Sequence, residues 1–208
     1  MDFSIGTLTA FALTSLVIEL TPGPNLVYLA ILTLSEGRPA GYAAVAGVAF
    51  GLLLLGLMAA FGFGVLARNS PSVYEFMRWV GVAYLLWLAW DGWSSAGSAT
   101  IGATGKTSHR RHFARGFITN MLNPKAGIFY VALLPNFIDI ARPMVGQAIV
   151  LTIIYVTIAT VIHTSIVTAA GAALPLLEDR RQKQIIRRIL SVGLVAVAFW
   201  LAWSTKDW

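Results

Sequence analysis

Six long apolar segments restrict this chain to a narrow class of folds. They cover roughly residues 5–34, 40–67, 73–93, 117–138, 144–177 and 185–203. Most of them exceed the ~20 apolar residues that cross ~30 Å of hydrocarbon as an α-helix. Only 12% of the 208 residues are charged, against roughly 25% in an ordinary soluble domain. The sequence therefore predicts an all-α polytopic membrane protein with six transmembrane helices.

The polar connection at residues 94–113 divides the chain into two halves, 1–93 and 114–208. We expect both halves to belong to one transmembrane domain, 1–208. Because each half carries three predicted helices, the second half enters the membrane inverted with respect to the first. A 3+3 inverted repeat of this kind recurs among secondary transporters, and we predict it here.

Basic residues are concentrated on one side of the predicted helices. Ten of the 15 lysines and arginines lie at position 38 and within 106–115 and 180–188, whereas four lie on the other side, at 68, 78, 142 and 206. The positive-inside rule places the richer side in the cytoplasm and both termini outside it, in the periplasm. The net charge of +6 is therefore a topology signal, and we predict no nucleic-acid partner.

Proline motifs interrupt the first and fourth predicted helices, at 21–25 (Thr-Pro-Gly-Pro-Asn) and at 123–125 (Asn-Pro-Lys). A proline inside a helix removes a backbone donor and breaks the helix. Hydrocarbon tolerates such a break only where it is buried in protein or lines a polar cavity. Both motifs lie about 15 Å inward from the predicted cytoplasmic helix ends. Two breaks at matched depth near the midplane predict a substrate site between broken helices 1 and 4.

The candidate substrate-binding residues offer freed carbonyls, side-chain amides or a cation at this depth. Carbonyls near Leu20 and Asn120 would hold a substrate ammonium, while amide donors, a helix N-terminus and Lys125 would hold its carboxylate. The alternative is that the prolines only kink the helices for packing. The candidates are Thr21, Pro22, Gly23, Pro24, Asn25, Asn120, Asn123, Pro124 and Lys125.

Two ionisable residues inside predicted helices are candidates for carrying a coupling proton. Glu19 lies about one turn before the first break, and a charge buried in a bilayer is usually functional. Its alternative role is to be a structural partner for Lys125. His163 lies near the middle of the fifth helix, and histidine can exchange protons near physiological pH. Its alternative role is to bridge helices, beside threonines that bond their own helix carbonyls.

Four stretches of this sequence resemble the LysE/RhtB family of amino-acid exporters. They are 20–25 (Leu-Thr-Pro-Gly-Pro-Asn), 78–88, 116–125 (ending in Asn-Pro-Lys) and 134–137 (Leu-Pro-Asn-Phe). The resemblance implies efflux of amino acids or close derivatives across the bacterial inner membrane by antiport, driven by an ion gradient. We expect the ion to be the proton. The motifs do not distinguish among lysine, arginine, homoserine, threonine and leucine as substrates.

Other function classes fit these residues less well. The alternative to an amino-acid exporter is a channel, or an efflux carrier for another small solute or a metal cation. We predict no enzyme activity, since the sequence offers no assembled nucleophile, base or metal set, and we predict no cofactor and no metal site. The expected partners are an amino-acid substrate, a coupling ion and the lipid bilayer, with a homo-oligomer left open. Gly47 and Gly51 form a G-x-x-x-G face that we expect to pack helices within the chain.

Overall fold

The computed structural model describes residues 4–21, 23–62, 109–139 and 141–173, together with isolated helical positions within 79–93 and 185–203. All regular structure in these residues is helical, which confirms the predicted all-α class. Six α-helices are continuous in the described residues, with a π-helical turn and a 3-10 turn before the last of them. In chain order the elements are α1 (Ile5–Leu20), α2 (Pro24–Glu36), α3 (Arg38–Ala60), α4 (His109–Met121), α5 (Pro124–Ile128), the π-turn (Phe129–Leu133), the 3-10 turn (Leu134–Phe137) and α6 (Met144–Ala173).

The first predicted helix is broken where the proline motif predicts a break. Helix α1 ends at Leu20, Thr21 is extended, and α2 begins at Pro24. The axes of α1 and α2 differ by 54°. A proline at the first helical position costs no hydrogen bond, because that N–H would lack an intrahelical partner in any case. The motif therefore ends one helix and starts the next.

The second predicted break, in the fourth helix, is also present. Helix α4 ends at Met121, and Asn123 is extended and caps α5 by accepting from the Lys125 N–H at 3.0 Å. Helix α5 continues into the π-turn and then the 3-10 turn, neither of which the sequence predicted. Short π-helical stretches inside helices are frequent at functional sites.

Helices α3 and α6 are each long and apolar enough to cross a membrane. The bent pair α1 and α2 forms a third candidate span if the two helices are one crossing. The chain is thus a membrane protein with two to three candidate spans among the described residues. The full six-helix arrangement and its inverted repeat stay a prediction, since segments 73–93 and 185–203 lie largely outside those residues.

Glycines bring α3 and α4 into close backbone contact. A Cβ on Gly47 would collide with the backbone of Phe113, and a Cβ on Gly116 would collide with the backbone of Ala44. Gly51 lies against a buried asparagine side chain of α4. The prediction that Gly47 and Gly51 pack helices within the chain is confirmed. Small residues permit this approach because membrane helices associate largely through van der Waals packing.

An aromatic core joins α1, the π-turn and α6. The ring of Phe129 stacks on Tyr155 with centroids 3.6 Å apart, and Phe11 meets Phe129 edge-on at 5.8 Å. All three side chains are buried. This packing holds Tyr155 beside the first helix break.

Candidate functional site

A small cavity, partly continuous with solvent, lies where the two helix breaks face α3 and α6. Its walls combine one carboxylate, one ammonium, one imidazole, one phenol and two side-chain amides with a few apolar groups. The lining residues are Glu19, Gly23, Asn25, Leu26, Leu52, Asn123, Lys125, Ala126, Tyr155 and His163. Elements distant in the sequence therefore supply one polar site.

The Glu19 carboxylate is buried and in contact with a tyrosine and a histidine. The Tyr155 hydroxyl donates to Glu19 Oε1 at 2.5 Å, and His163 Nε2 lies 3.3 Å from Glu19 Oε2. The exposed fractions are 5% for Glu19, 0% for Tyr155 and 1% for His163. A buried carboxylate is costly unless neighbours donate to it or it is protonated. Both candidates for proton coupling thus lie in contact with each other.

Lys125 places its ammonium group at the first break. Its Nζ donates to the Thr21 carbonyl at 2.8 Å. Gly23 leaves room for this side chain, since a Cβ there would approach Lys125 Cδ at 3.3 Å. Within the described residues Lys125 forms no ion pair with Glu19, so the suggested structural pair is not formed. The two opposite charges instead line the same cavity separately.

Two asparagines connect the broken segments to each other. Asn25 donates through Nδ2 to Asn120 Oδ1 at 2.9 Å, and both side chains are buried. Asn25 Oδ1 and Asn120 Nδ2 have no hydrogen-bond partner among the described residues. The expected free carbonyl at Asn120 is wrong in detail, because it accepts the Asn123 N–H at 3.0 Å in the turn after α4. The carbonyl that meets a cation is that of Thr21.

The other residues predicted to bind substrate have different places in the structure. The Thr21 hydroxyl donates to Val17 within α1, so Thr21 contributes its carbonyl. Pro24 and Pro124 begin helices α2 and α5 and set the direction of their N-termini. Pro22 lies outside the described residues.

Sequence reasoning missed four residues that line the cavity: Leu26, Leu52, Ala126 and Tyr155. Tyr155 precedes His163 by eight residues, about two helical turns, and therefore shares its face of α6. That spacing was the available signal. Leu26, Leu52 and Ala126 are ordinary apolar residues of membrane helices, so the sequence does not mark them as part of a site.

Three threonines near His163 bond the carbonyls of their own helix, as the helix-bridging alternative for His163 predicted. The hydroxyls of Thr157, Thr160 and Thr168 donate to the helix carbonyls four residues earlier. These three hydroxyls are therefore satisfied within their own helix. His163 differs from them, because its Nε2 faces the Glu19 carboxylate.

A comparison with protein families identifies the kind of protein that carries this cavity. The model of the LysE type translocator family matches residues 16–205. The chain belongs to this family. The resemblance based on the four sequence stretches is thereby confirmed, and the matched region includes every residue that lines the cavity.

Three relatives of this LysE-type translocator each match most of the chain. A homoserine/homoserine lactone efflux protein of Salmonella typhimurium is 28% identical over 194 residues, covering 93% of this chain and 94% of the relative. A leucine efflux protein of Klebsiella pneumoniae is 26% identical over 200 residues, covering 95% and 94%. An uncharacterized membrane protein of Vibrio cholerae is 32% identical over 154 residues, covering 74% and 75%. No solved structure gives a significant match.

Proposed function

We propose that this LysE-type translocator exports amino acids or close derivatives across the bacterial inner membrane, driven by the proton gradient. The observation that carries the proposal is that Glu19 and Lys125 line one cavity at two helix breaks. A zwitterion needs an anionic and a cationic partner, and both are provided there. Relatives named for the efflux of homoserine, homoserine lactone and leucine support the substrate class.

The substrate carboxylate binds at the start of α2 and at Lys125. The first N–H groups of a helix have no intrahelical partners and carry the positive end of its dipole. Gly23 supplies no capping side chain to occupy them. Lys125 exchanges the Thr21 carbonyl for the substrate carboxylate, and its charge strengthens that hydrogen bond.

The substrate ammonium binds at Glu19 and at the carbonyls that end α1. The negative end of the α1 dipole lies there, next to the carboxylate. Leu26, Leu52 and Ala126 form the apolar part of the wall and receive the substrate side chain. Because Glu19 is the one carboxylate among the lining residues, a second cationic group on the substrate would lack a partner. The cavity therefore favours neutral amino acids over lysine and arginine.

The coupling proton and the substrate ammonium compete for Glu19. A protonated Glu19 keeps its hydrogen bonds but has no charge to offer an ammonium, whereas the ionised form binds it. His163, 3.3 Å from Oε2, is positioned to exchange a proton with the carboxylate. Mutual exclusion at one carboxylate makes the carrier an antiporter, because each reorientation carries a proton or a substrate.

Alternating access in this proposal uses the six-helix, 3+3 inverted arrangement, with both termini in the periplasm. Rocking of one repeat against the other would open the cavity to each side in turn. Reporters fused after Lys106 or Lys183 should be cytoplasmic, and a reporter at Trp208 periplasmic. The opposite labelling would reverse the orientation.

Purified protein in proteoliposomes tests the transport proposal. Vesicles loaded with one unlabelled amino acid should take up the labelled form by counterflow, and an imposed proton gradient should drive its accumulation. The panel should include homoserine, leucine, threonine, lysine and arginine. Absence of counterflow for every amino acid would refute the amino-acid assignment, and failure of an imposed proton gradient to drive accumulation would refute the coupling.

A further inference from the structure

Three buried hydroxyls near Glu19 have unused hydrogen-bonding capacity among the described residues. They are Ser15 Oγ, Tyr130 Oη and Thr152 Oγ1; none makes a hydrogen bond of good geometry, although Tyr130 and Thr152 lie close enough for a weak one with each other. Ser15 and Thr152 are 0% exposed and Tyr130 is 3% exposed. An unsatisfied buried polar group destabilises the fold, so such hydroxyls are normally paired with protein or with water.

Neighbouring hydroxyls on the same helices are satisfied in the usual way. Thr9 and Thr14 of α1 donate to the carbonyls four residues earlier, and so does Thr157 of α6. That local bond is the default for a hydroxyl in an apolar helix. Ser15 and Thr152 do not use it, although the same carbonyl positions exist for them. The Thr152 hydroxyl lies instead against Gly56 of α3, and the Ser15 hydroxyl is fully buried.

The three hydroxyls lie on the elements that carry and pack the Glu19–Tyr155 pair. Ser15 lies one turn before Glu19 on the buried face of α1. Thr152 lies three residues before Tyr155 on α6, and the ring of Tyr130 meets that of Tyr155 at 5.5 Å. Tyr130 and Thr152 are neighbours, since a Cβ on Gly56 would meet both side chains.

Ser15 and Thr152 lie on the same side of the Glu19–Tyr155 pair along their helices. Arg38, which follows α2, donates to the Thr168 carbonyl at 3.1 Å, near the end of α6. The end of the α1–α2 segment and the end of α6 are therefore at the same face of the protein. Ser15 and Thr152 precede Glu19 and Tyr155 in both helices. They lie toward the face where α1 and α6 begin.

We propose that Ser15, Tyr130 and Thr152, with water between them, form a proton path that connects Glu19, through Tyr155, to the face where α1 and α6 begin. The inference rests on the proposed function, because it takes Glu19 as the coupling carboxylate. Buried water needs two to four polar partners, and three hydroxyls with unused donors and acceptors provide them. In the predicted topology this face is periplasmic, the side from which an inward proton gradient loads the carrier.

The transfer is balanced at each hydroxyl. Tyr155 gives its proton to Glu19 Oε1 while its oxygen accepts a proton from the water held by Tyr130 and Thr152, and that water takes a proton in turn from the face where α1 and α6 begin. Tyrosine and water are both left neutral, and one proton has moved from that face to the carboxylate. The other titratable groups facing Glu19 are Lys125 from α5, His163 from α6 and Tyr130 from the π-turn.

Conservative removal of each hydroxyl tests the path. The variants are Ser15→Ala, Tyr130→Phe and Thr152→Val, with Thr157→Val as the matched control on the same helix, whose hydroxyl bonds its own backbone. Each is reconstituted after a monodispersity check and assayed for gradient-free substrate counterflow and for proton-driven uphill transport. We expect proton-driven transport to fall about tenfold in Thr152→Val and Tyr130→Phe, with counterflow within about twofold of wild type. Thr157→Val should change neither.

Proton-driven transport at wild-type rates in all three path variants would overturn the path and leave the proposed carrier intact. Equal loss of counterflow and proton-driven transport would also overturn it, because the hydroxyls would then serve substrate binding or packing. A wild-type protein that shows counterflow without proton coupling would refute the coupling at Glu19 and the path with it. Wild-type protein without counterflow would refute the transport proposal itself.

Discussion

Tyr155 and Glu19, 136 residues apart in the sequence, meet in a 2.5 Å hydrogen bond that ties α1 to α6. On the other side of the first break, Asn25 ties α2 to α4 through Asn120. These two hydrogen bonds connect the two parts of the broken segment to different helices, and the break between Leu20 and Pro24 lies between them.

Removal of the Tyr155 hydroxyl tests the strength of this connection. Tyr155→Phe keeps the ring stacked on Phe129 but leaves Glu19 without its short donor. We expect the free energy of unfolding in detergent to fall by about 1–3 kcal/mol. Tyr42→Phe is the control, because its hydroxyl bonds Thr168 at the surface and should cost no more than about 0.5 kcal/mol. Equal effects of the two changes would contradict the role given to Tyr155.

The ammonium of Lys125 is expected to bind the substrate carboxylate. Lys125→Met should weaken substrate affinity by about tenfold to a hundredfold, the equivalent of a charged hydrogen bond of about 1.5–3 kcal/mol. Counterflow at varied substrate concentration measures the KM. Arg142→Met removes a cation outside the cavity and serves as the control. An unchanged KM in the Lys125 variant would exclude this contact.

The parts of the site that follow from local chemistry could be predicted from the sequence. Prolines lack a backbone N–H, so the breaks at 21–25 and 123–125 follow from the positions of the prolines in the sequence. Matched depth was enough to group Glu19, Asn25 and Lys125 around one cavity. The sequence alone did not reveal which groups pair across helices. Tyr155 rather than Lys125 donates to Glu19, because helix packing decides that contact.

The end of the fourth segment was less predictable for the same reason. The apolar run 117–138 reads as a continuous helix after its proline break, whereas the structure changes to a π-turn at Phe129 and to a 3-10 turn at Leu134. Pro135 cannot donate a helical hydrogen bond, which favours the change. The π-turn buries Phe129 and Tyr130 against α6, and that tertiary packing has no periodic signature.

Close contact between α3 and α4 should make Gly47 intolerant of any side chain. Gly47→Ala would drive a methyl group into the Phe113 backbone, and overpacking of this kind costs about 1–3 kcal/mol or more. Gly127→Ala is the matched control, since no atom lies within 4 Å of its added Cβ. Thermal unfolding in detergent should show a lower Tm for Gly47→Ala and an unchanged Tm for Gly127→Ala. Similar Tm values would contradict the helix contact.

Acid should destabilise the protein partly through His112, which lies outside the apolar segment 117–138. Burial lowers the pKa of His112 from its ordinary value, although Glu36, 3.5 Å away, opposes the shift. The unfolded chain then binds a proton at a higher pH than the folded one does. The contribution to stability is present above the ordinary histidine pKa and is lost as the pH falls through the lowered value.

His112→Gln should therefore make the free energy of unfolding less dependent on pH between about pH 7.5 and pH 5. Thermal unfolding of wild type and variant at both pH values measures the difference. The exposed His109→Gln is the control: its charge is the smallest of the effects that lower the His112 pKa, so this variant should keep most of the wild-type pH dependence. If the His112 variant also keeps it, the linkage to His112 is wrong.

The pH dependence of the KM for substrate counterflow, in wild type and Glu19→Gln, tests most directly whether proton and substrate compete for Glu19. In wild type the KM should rise as the pH falls, because a protonated carboxylate cannot hold the substrate ammonium. In Glu19→Gln a permanently neutral amide replaces the carboxylate, so the KM should be high at every pH and proton-driven accumulation should be lost. A Glu19→Gln protein with the wild-type KM, the wild-type pH dependence and undiminished uphill efflux would contradict the account.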